Sequence, residues 1–149
     1  MKGKLLAFPL VALLALGLWG QTLRWSRRMD ASQTLRQVEL VSMAVVARGE
    51  VPPQPLAMNL EALRRIAPLD PVEVGIPIAR GTQYLFLSRF DAAARSYEEA
   101  LVLEPRPEGY LNLGRAQWLA GRADEARRSF ATAVRLDPRL AREIPEAAR

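Results

Sequence analysis

Cysteine and histidine are both absent from the 149 residues. A disulfide scaffold is therefore excluded, and so is the usual zinc site, which draws on Cys and His. The missing cysteines fit a reducing or an oxidising compartment equally well. No His-based catalytic dyad can form, and no glycine-rich phosphate loop appears. The adjacent carboxylates Glu98-Glu99 and Asp124-Glu125 lie beside arginines on what read as solvated helix faces, and they imply no cleft. The chain does not read as an enzyme, and nothing in it asks for a metal or a cofactor.

A basic excess is also lacking beyond residue 28. The net charge is +5, and Lys2, Lys4, Arg24, Arg27 and Arg28 account for it; from Met29 onward sixteen arginines balance sixteen carboxylates. Nucleic-acid binding thus has no electrostatic footing.

What is present at the N-terminus is a long apolar run. Leu5 to Gly20 contains no charged or strongly polar side chain, and through Leu23 only Gln21 and Thr22 are polar, nineteen residues in all. That is near the minimum for a bilayer core of about 30 Å at about 1.5 Å per residue. Trp19 and Trp25 fall where amphipathic rings favour headgroups, and Arg24, Arg27 and Arg28 follow at once. The run predicts a single transmembrane anchor over residues 1–23, flanked by these side chains and by Lys2 and Lys4. The alternative is a cleaved secretory signal, with Lys2 and Lys4 as its basic region and Ala15-Leu16-Gly17 as its cleavage site. That site is poor, because the run continues past it to Trp19. A buried core helix is the third use, but so small a chain cannot cover the run on all sides. The two basic flanks nearly balance under the positive-inside rule. A short basic tail before an apolar run is the ordinary start of an insertion that leaves the N-terminus inside and exports the rest.

Residues 24–50 read as a juxtamembrane amphipathic helix. Leu35, Val38, Val41, Ala44 and Val45 form an apolar stripe, with Arg36, Gln37 and Glu39 off it. No proline separates this helix from the apolar run, so the two can be continuous. A dimerising coiled coil is the rival use of the stripe, which is short for one. Residues 51–57 read as a proline-rich loop, and Leu60 to Ala67 as a second helix.

The rest of the chain repeats itself. Glu108 to Pro138 holds two short helical runs that meet at Ala120-Gly121-Arg122. The first carries Tyr110, Leu113, Gly114 and Trp118; the second carries Ala126, Phe130, Ala133 and Val134 on one face. The pattern recurs 33 residues upstream: Gly81 matches Gly114, Ala93 matches Ala126, Tyr97 matches Phe130, Ala100 matches Ala133 and Pro105 matches Pro138. Leu69-Asp70-Pro71, Leu103-Glu104-Pro105 and Leu136-Asp137-Pro138 are a series of endings, and Leu63 precedes Pro71 by the same step as Tyr97 precedes Pro105. A fixed period of this size means stacked supersecondary units. Small residues at Gly114 and Ala126 sit where bulk would hold the paired helices apart.

These residues resemble the tetratricopeptide repeat, whose pattern is an aromatic, Leu-Gly, a second aromatic, Ala-x3-Phe and a closing Pro. Tyr110-x2-Leu113-Gly114, Ala126-x3-Phe130 and Pro138 carry it in the later copy; Gly81-x2-Tyr84, Ala93-x3-Tyr97 and Pro105 carry it in the earlier one. The departures are Pro77 for the first aromatic, Arg80 for Leu, and Gln117 for the second aromatic, with Trp118 beside it. The expected fold is all-α: one transmembrane helix, then a short solenoid of helical hairpins over residues 58–149. Its parts are repeats at about 74–105 and 107–138, a degenerate hairpin at about 30–71 and a C-terminal cap at 139–149. Firm helix in the earlier repeat is expected only from Pro77 or Ile78.

The resemblance implies a groove, lined by the first helix of each hairpin, that holds a peptide or helix of a partner protein. Carried over, the groove positions are Thr82, Leu85, Phe86 and Arg89 in one repeat, and Asn112, Arg115, Trp118 and Leu119 in the next. Trp118 is either a binding anchor or a packing residue that replaces the missing aromatic at Gln117. The basic and asparagine set by which some relatives clamp a terminal carboxylate is not reproduced. The reading is a membrane-anchored bacterial adaptor or assembly factor, single-pass in the inner membrane with its C-terminal part in the periplasm. The alternative is a structural subunit permanently built into a membrane complex.

Overall fold

The computed structural model describes residues 7–49 and 53–148, with the side chains of residues 7–18 and of Arg24 left out of the description. Six α-helices succeed one another among the described residues, and no strand occurs there: α1 (Ala7–Arg48), α2 (Pro53–Ile66), α3 (Gly75–Phe86), α4 (Phe90–Leu103), α5 (Pro107–Leu119) and α6 (Ala123–Leu136). Two 3-10 segments, Pro138–Glu143 and Glu146–Ala148, close the chain. Each helix packs on the next, and α1 also reaches α3. The architecture is an all-helical solenoid of stacked hairpins.

Helix α1 is 42 residues long and runs unbroken through the expected boundary at residue 23. Among the described residues no helix is long and apolar enough to cross a membrane. The transmembrane helix expected over 1–23 is thus not found there: from Gln21 onward α1 turns polar, with Arg24, Arg27, Arg28 and Asp30 in quick succession. Lys2 and Lys4 lie outside the described residues. Farther along, Ala31, Leu35, Val38 and Val45 are buried, and the first three pack with Leu63 and Ile66 of α2 and Ile76 and Ala79 of α3. Arg28 reaches Asp70 at 3.5 Å, which ties α1 to the connection between α2 and α3.

The proline-rich stretch is not a loop throughout. Helix α2 begins at Pro53, because the amide hydrogens of a first turn have no intrahelical partner and proline there forfeits nothing. The same physics lets α3 start at Gly75, ahead of Pro77, whereas the sequence places firm helix only from Pro77 or Ile78. Glu73 Oε1 accepts the Gly75 amide at 3.0 Å and satisfies that first turn.

The 33-residue period is visible in the backbone of the two clear hairpins. Arg89 N donates to Tyr84 O at 2.8 Å and Arg122 N to Gln117 O at 2.9 Å, the long closing bond of a Schellman turn. Such a turn needs one left-handed residue; Gly121 supplies it at φ 79°, and Ser88 occupies the matching place at φ 55°. The helix pairs then close around a glycine and a ring. A Cβ at Gly81 would stand 2.8 Å from the Tyr97 ring, and a Cβ at Gly114 would stand 2.6 Å from the Phe130 ring.

Two further clusters complete the core. Ala93, Ala94, Tyr97, Leu113 and Ala116 join α4 to α5, with Ile78, Tyr84 and Leu85 against them. Leu111, Ala126, Phe130 and Ala133 pack with Leu140, Ile144 and Ala148 of the closing segments. Asp137 starts the first of these: its carboxylate accepts the Arg139 amide at 3.0 Å, with Pro138 at the opening position. The side-chain and backbone hydrogen bonds from Arg139 hold the Asp137 carboxyl below the usual carboxylate range.

Candidate groove between the first helices of the hairpins

Helices α1, α3 and α5 are the first members of successive hairpins. Between α1 and α3 lies an open cavity of about 550 Å³. Val38, Glu39, Ser42 and Met43 of α1 form one wall. Gly75, Ile78, Ala79 and Thr82 of α3 form the other, with Glu73 and Val74 at one end and Arg106 also in the lining.

A polar chain fixes α1 against this wall. The fully buried Gln83 donates from Nε2 to Ser42 Oγ at 2.8 Å, and its Oε1 accepts from Asn59 Nδ2 at 3.1 Å. Ser42 in turn donates to Val38 O at 2.8 Å. One amide therefore links α1, α2 and α3 through bonds that leave none of its heavy atoms unpaired, as burial requires.

The expected groove residues divide between two settings. Thr82 lines the cavity; its hydroxyl donates to Ile78 O at 3.1 Å and lies 3.3 Å from the Tyr97 hydroxyl. Burial pushes the Tyr97 phenol upward, and the Thr82 hydrogen bond partly opposes this. Leu85 packs into the α4–α5 cluster, Phe86 is half-buried, and Arg89 is exposed in the turn. In α5, Asn112 Oδ1 accepts from Arg115 at 3.4 Å, and Arg115 pairs with Glu143 of the closing segment at 2.8 Å. Trp118 is half-buried against the cluster that holds Phe130 and Leu140, whereas Leu119 is 53 % exposed. Of the side chains expected to flank a membrane, Trp19 and Trp25 are 68 % and 71 % exposed and Arg27 and Arg28 are exposed. Gln117, where the repeat pattern has an aromatic, is buried and accepts from Ser129 at 2.7 Å.

Sequence reasoning missed the α1 wall. Its signal was available: a hairpin at 30–71 makes α1 a first helix, whose inner face belongs to the groove.

Residues 78–141 match the sequence profile of the tetratricopeptide repeat family. Over these residues the chain is similar to tetratricopeptide repeats. The solenoid is similar to several solved structures. MamA AMB-1 superposes with a TM-score of 0.60 at 22% identity, over 75% of this chain and 59% of MamA. The chain thus spans less than two thirds of MamA. TTC0263, a thermophilic tetratricopeptide protein of Thermus thermophilus, gives 0.60 at 28% identity, over 84% of this chain and 69% of TTC0263. The second tetratricopeptide domain of human RPAP3, solved in complex with the HSP70 peptide SGPTIEEVD, gives 0.61 at 19% identity over 75% and 87%. Among curated proteins, none matches the chain. Tetratricopeptide hairpins are protein-interaction modules, and no group of three or more His, Cys, Asp or Glu side chains that could hold a metal occurs among the described residues.

Proposed function

We propose that this chain is a membrane-anchored, non-enzymatic tetratricopeptide adaptor that holds a peptide or helix of a partner protein between its first helices. The observation that carries the binding reading is the open cavity between α1 and α3, of a size suited to a few anchor side chains. The peptide complexes of RPAP3 domains with this fold support it. The anchor rests on the apolar run from Leu5 to Gly20 with its basic flanks, and the location is the bacterial inner membrane with the solenoid in the periplasm.

Photo-crosslinking in cells tests the groove. A photoreactive residue at Met43 or Thr82 is expected to capture a partner that the same residue at Arg95, on α4, does not. Capture at Arg95 alone would place the partner surface elsewhere. Carbonate washing of membranes tests the anchor: full-length protein is expected to stay in the pellet, and a mature N-terminus near Leu18 would show cleavage instead.

A second reading, a structural subunit of a membrane complex, draws on exposed apolar side chains along α1: Trp19, Leu23, Trp25, Leu40 and Val46. It predicts that the chain purifies in mild detergent only with its neighbours.

A further inference from the structure

The geometry points to a basic, apolar segment as the occupant of the α1–α3 groove: a peptide that sets an aliphatic side chain between lysines or arginines. This rests on the groove reading above and names the chemistry of its partner.

The charges around the groove are asymmetric. Glu39 and Glu73 both line it, and neither takes part in any ion pair among the described residues. Glu73 gives Oε1 to the Gly75 amide, which leaves its other oxygen available. The cation in the lining is already engaged. Arg106, the basic side chain in the lining, pairs with Glu104 at 2.6 Å. Farther along, Arg115 pairs with Glu143 at 2.8 Å and also donates to the Glu143 carbonyl at 3.4 Å. Arg89 is exposed in the turn after α3 and does not line the cavity.

A ligand therefore meets two uncompensated carboxylates and paired guanidiniums. An acidic segment would be repelled by the first and would have to displace Glu104 or Glu143 to use the second. A cationic segment gains from the first and disturbs nothing. Besides the carboxylates and the hydroxyls of Ser42 and Thr82, the lining holds Val38, Val74, Ile78 and Ala79, together with Met43, which is 67 % exposed. An unbranched thioether adapts to varied aliphatic partners. Complementary charge sets which segments are admitted, and the apolar wall holds the one that enters.

Random-peptide display on the immobilised full-length chain in a non-ionic detergent tests this. The selected peptides are expected to carry Lys or Arg on both sides of Leu, Ile, Val or Met. The best of them, labelled with a fluorophore, should bind at least threefold more weakly to Glu39→Gln/Glu73→Gln, and more weakly to wild type as salt rises. The glutamine at 73 keeps an acceptor for the Gly75 amide, so the double variant should retain the far-ultraviolet spectrum of the wild type. Enrichment of acidic or neutral peptides would overturn the charge assignment and leave the groove reading standing. Basic peptides that ignore the double substitution would move the site off this wall. No enrichment of any peptide would refute the groove reading itself.

Discussion

Adding one methyl group at Gly114 tests the packing rule that builds the hairpins. The new Cβ would lie 2.6 Å from both Cδ1 and Cε1 of Phe130 and 3.1 Å from Cγ. Phe130 is 2 % exposed and wedged between Leu111, Ala126 and the closing segments, so its ring cannot swing clear. Overpacking of this kind costs about 2–3 kcal/mol, and the better helix propensity of alanine returns about 1 kcal/mol. The net destabilisation of Gly114→Ala is therefore about 1–2 kcal/mol, which lowers the melting temperature by about 2–8 °C in a chain of this size. A double-mutant cycle isolates the contact. In a Phe130→Leu background the ring edge is gone and the propensity gain remains, so Gly114→Ala should become neutral or stabilising. Urea unfolding of the four variants, in one detergent, should give a coupling of about 1–3 kcal/mol. Equal effects of Gly114→Ala in both backgrounds would refute the claim that the ring requires a glycine there.

The two turns should respond in opposite directions: Ser88→Gly relieves a left-handed serine and should raise the melting temperature, whereas Gly121→Ala should cost about 1 kcal/mol of stability and lower it. Replacing Gln83 by Leu strands the buried Asn59 amide and should cost about 1–3 kcal/mol, read as a lower urea midpoint. Trp118→Ala should destabilise the terminal hairpin, because the ring packs on the cluster around Phe130. Arg115→Ala should change the melting temperature little, because its pair with Glu143 is solvent-exposed and worth at most about 1 kcal/mol. Asp137→Ala should loosen the closing segment by about 1 kcal/mol, seen as faster amide exchange at Arg139 and Leu140.

Much of the solenoid was legible because its determinants are local. The spacing of Gly81 to Ala93 and of Gly114 to Ala126 encodes two helices that must approach closely, and the matching rings at Tyr97 and Phe130 encode what fills the approach. Helix starts are harder. Pro53 and Pro55 read as loop, and Pro77 as an irregular helix start, yet all stand in first turns, where an absent amide hydrogen is harmless. The stripe on α1 is also less simple than its spacing implies. Val41 and Ala44 fall in it with Leu35 and Val38, but Val41 is half-buried and Ala44 is exposed. A helix that must serve the core on one face and a groove on another cannot be described by one stripe. The charge in the groove's lining depends on pairing choices, such as Arg106 with Glu104, that only tertiary packing decides.

Helix α1 is at once the long arm of the protein and one jaw of its groove. Its 42 residues span roughly 60 Å, and after Pro9 it contains no proline at which to bend. Gln83 and Asn59 grip it at Ser42, and Asp70 meets it at Arg28. A joint in the arm would insulate the two ends; an unbroken lever does not. The stretch near Trp19 and the one around Glu39 and Met43 are thus joined by continuous helix, so the groove wall and the far end of the arm belong to one element.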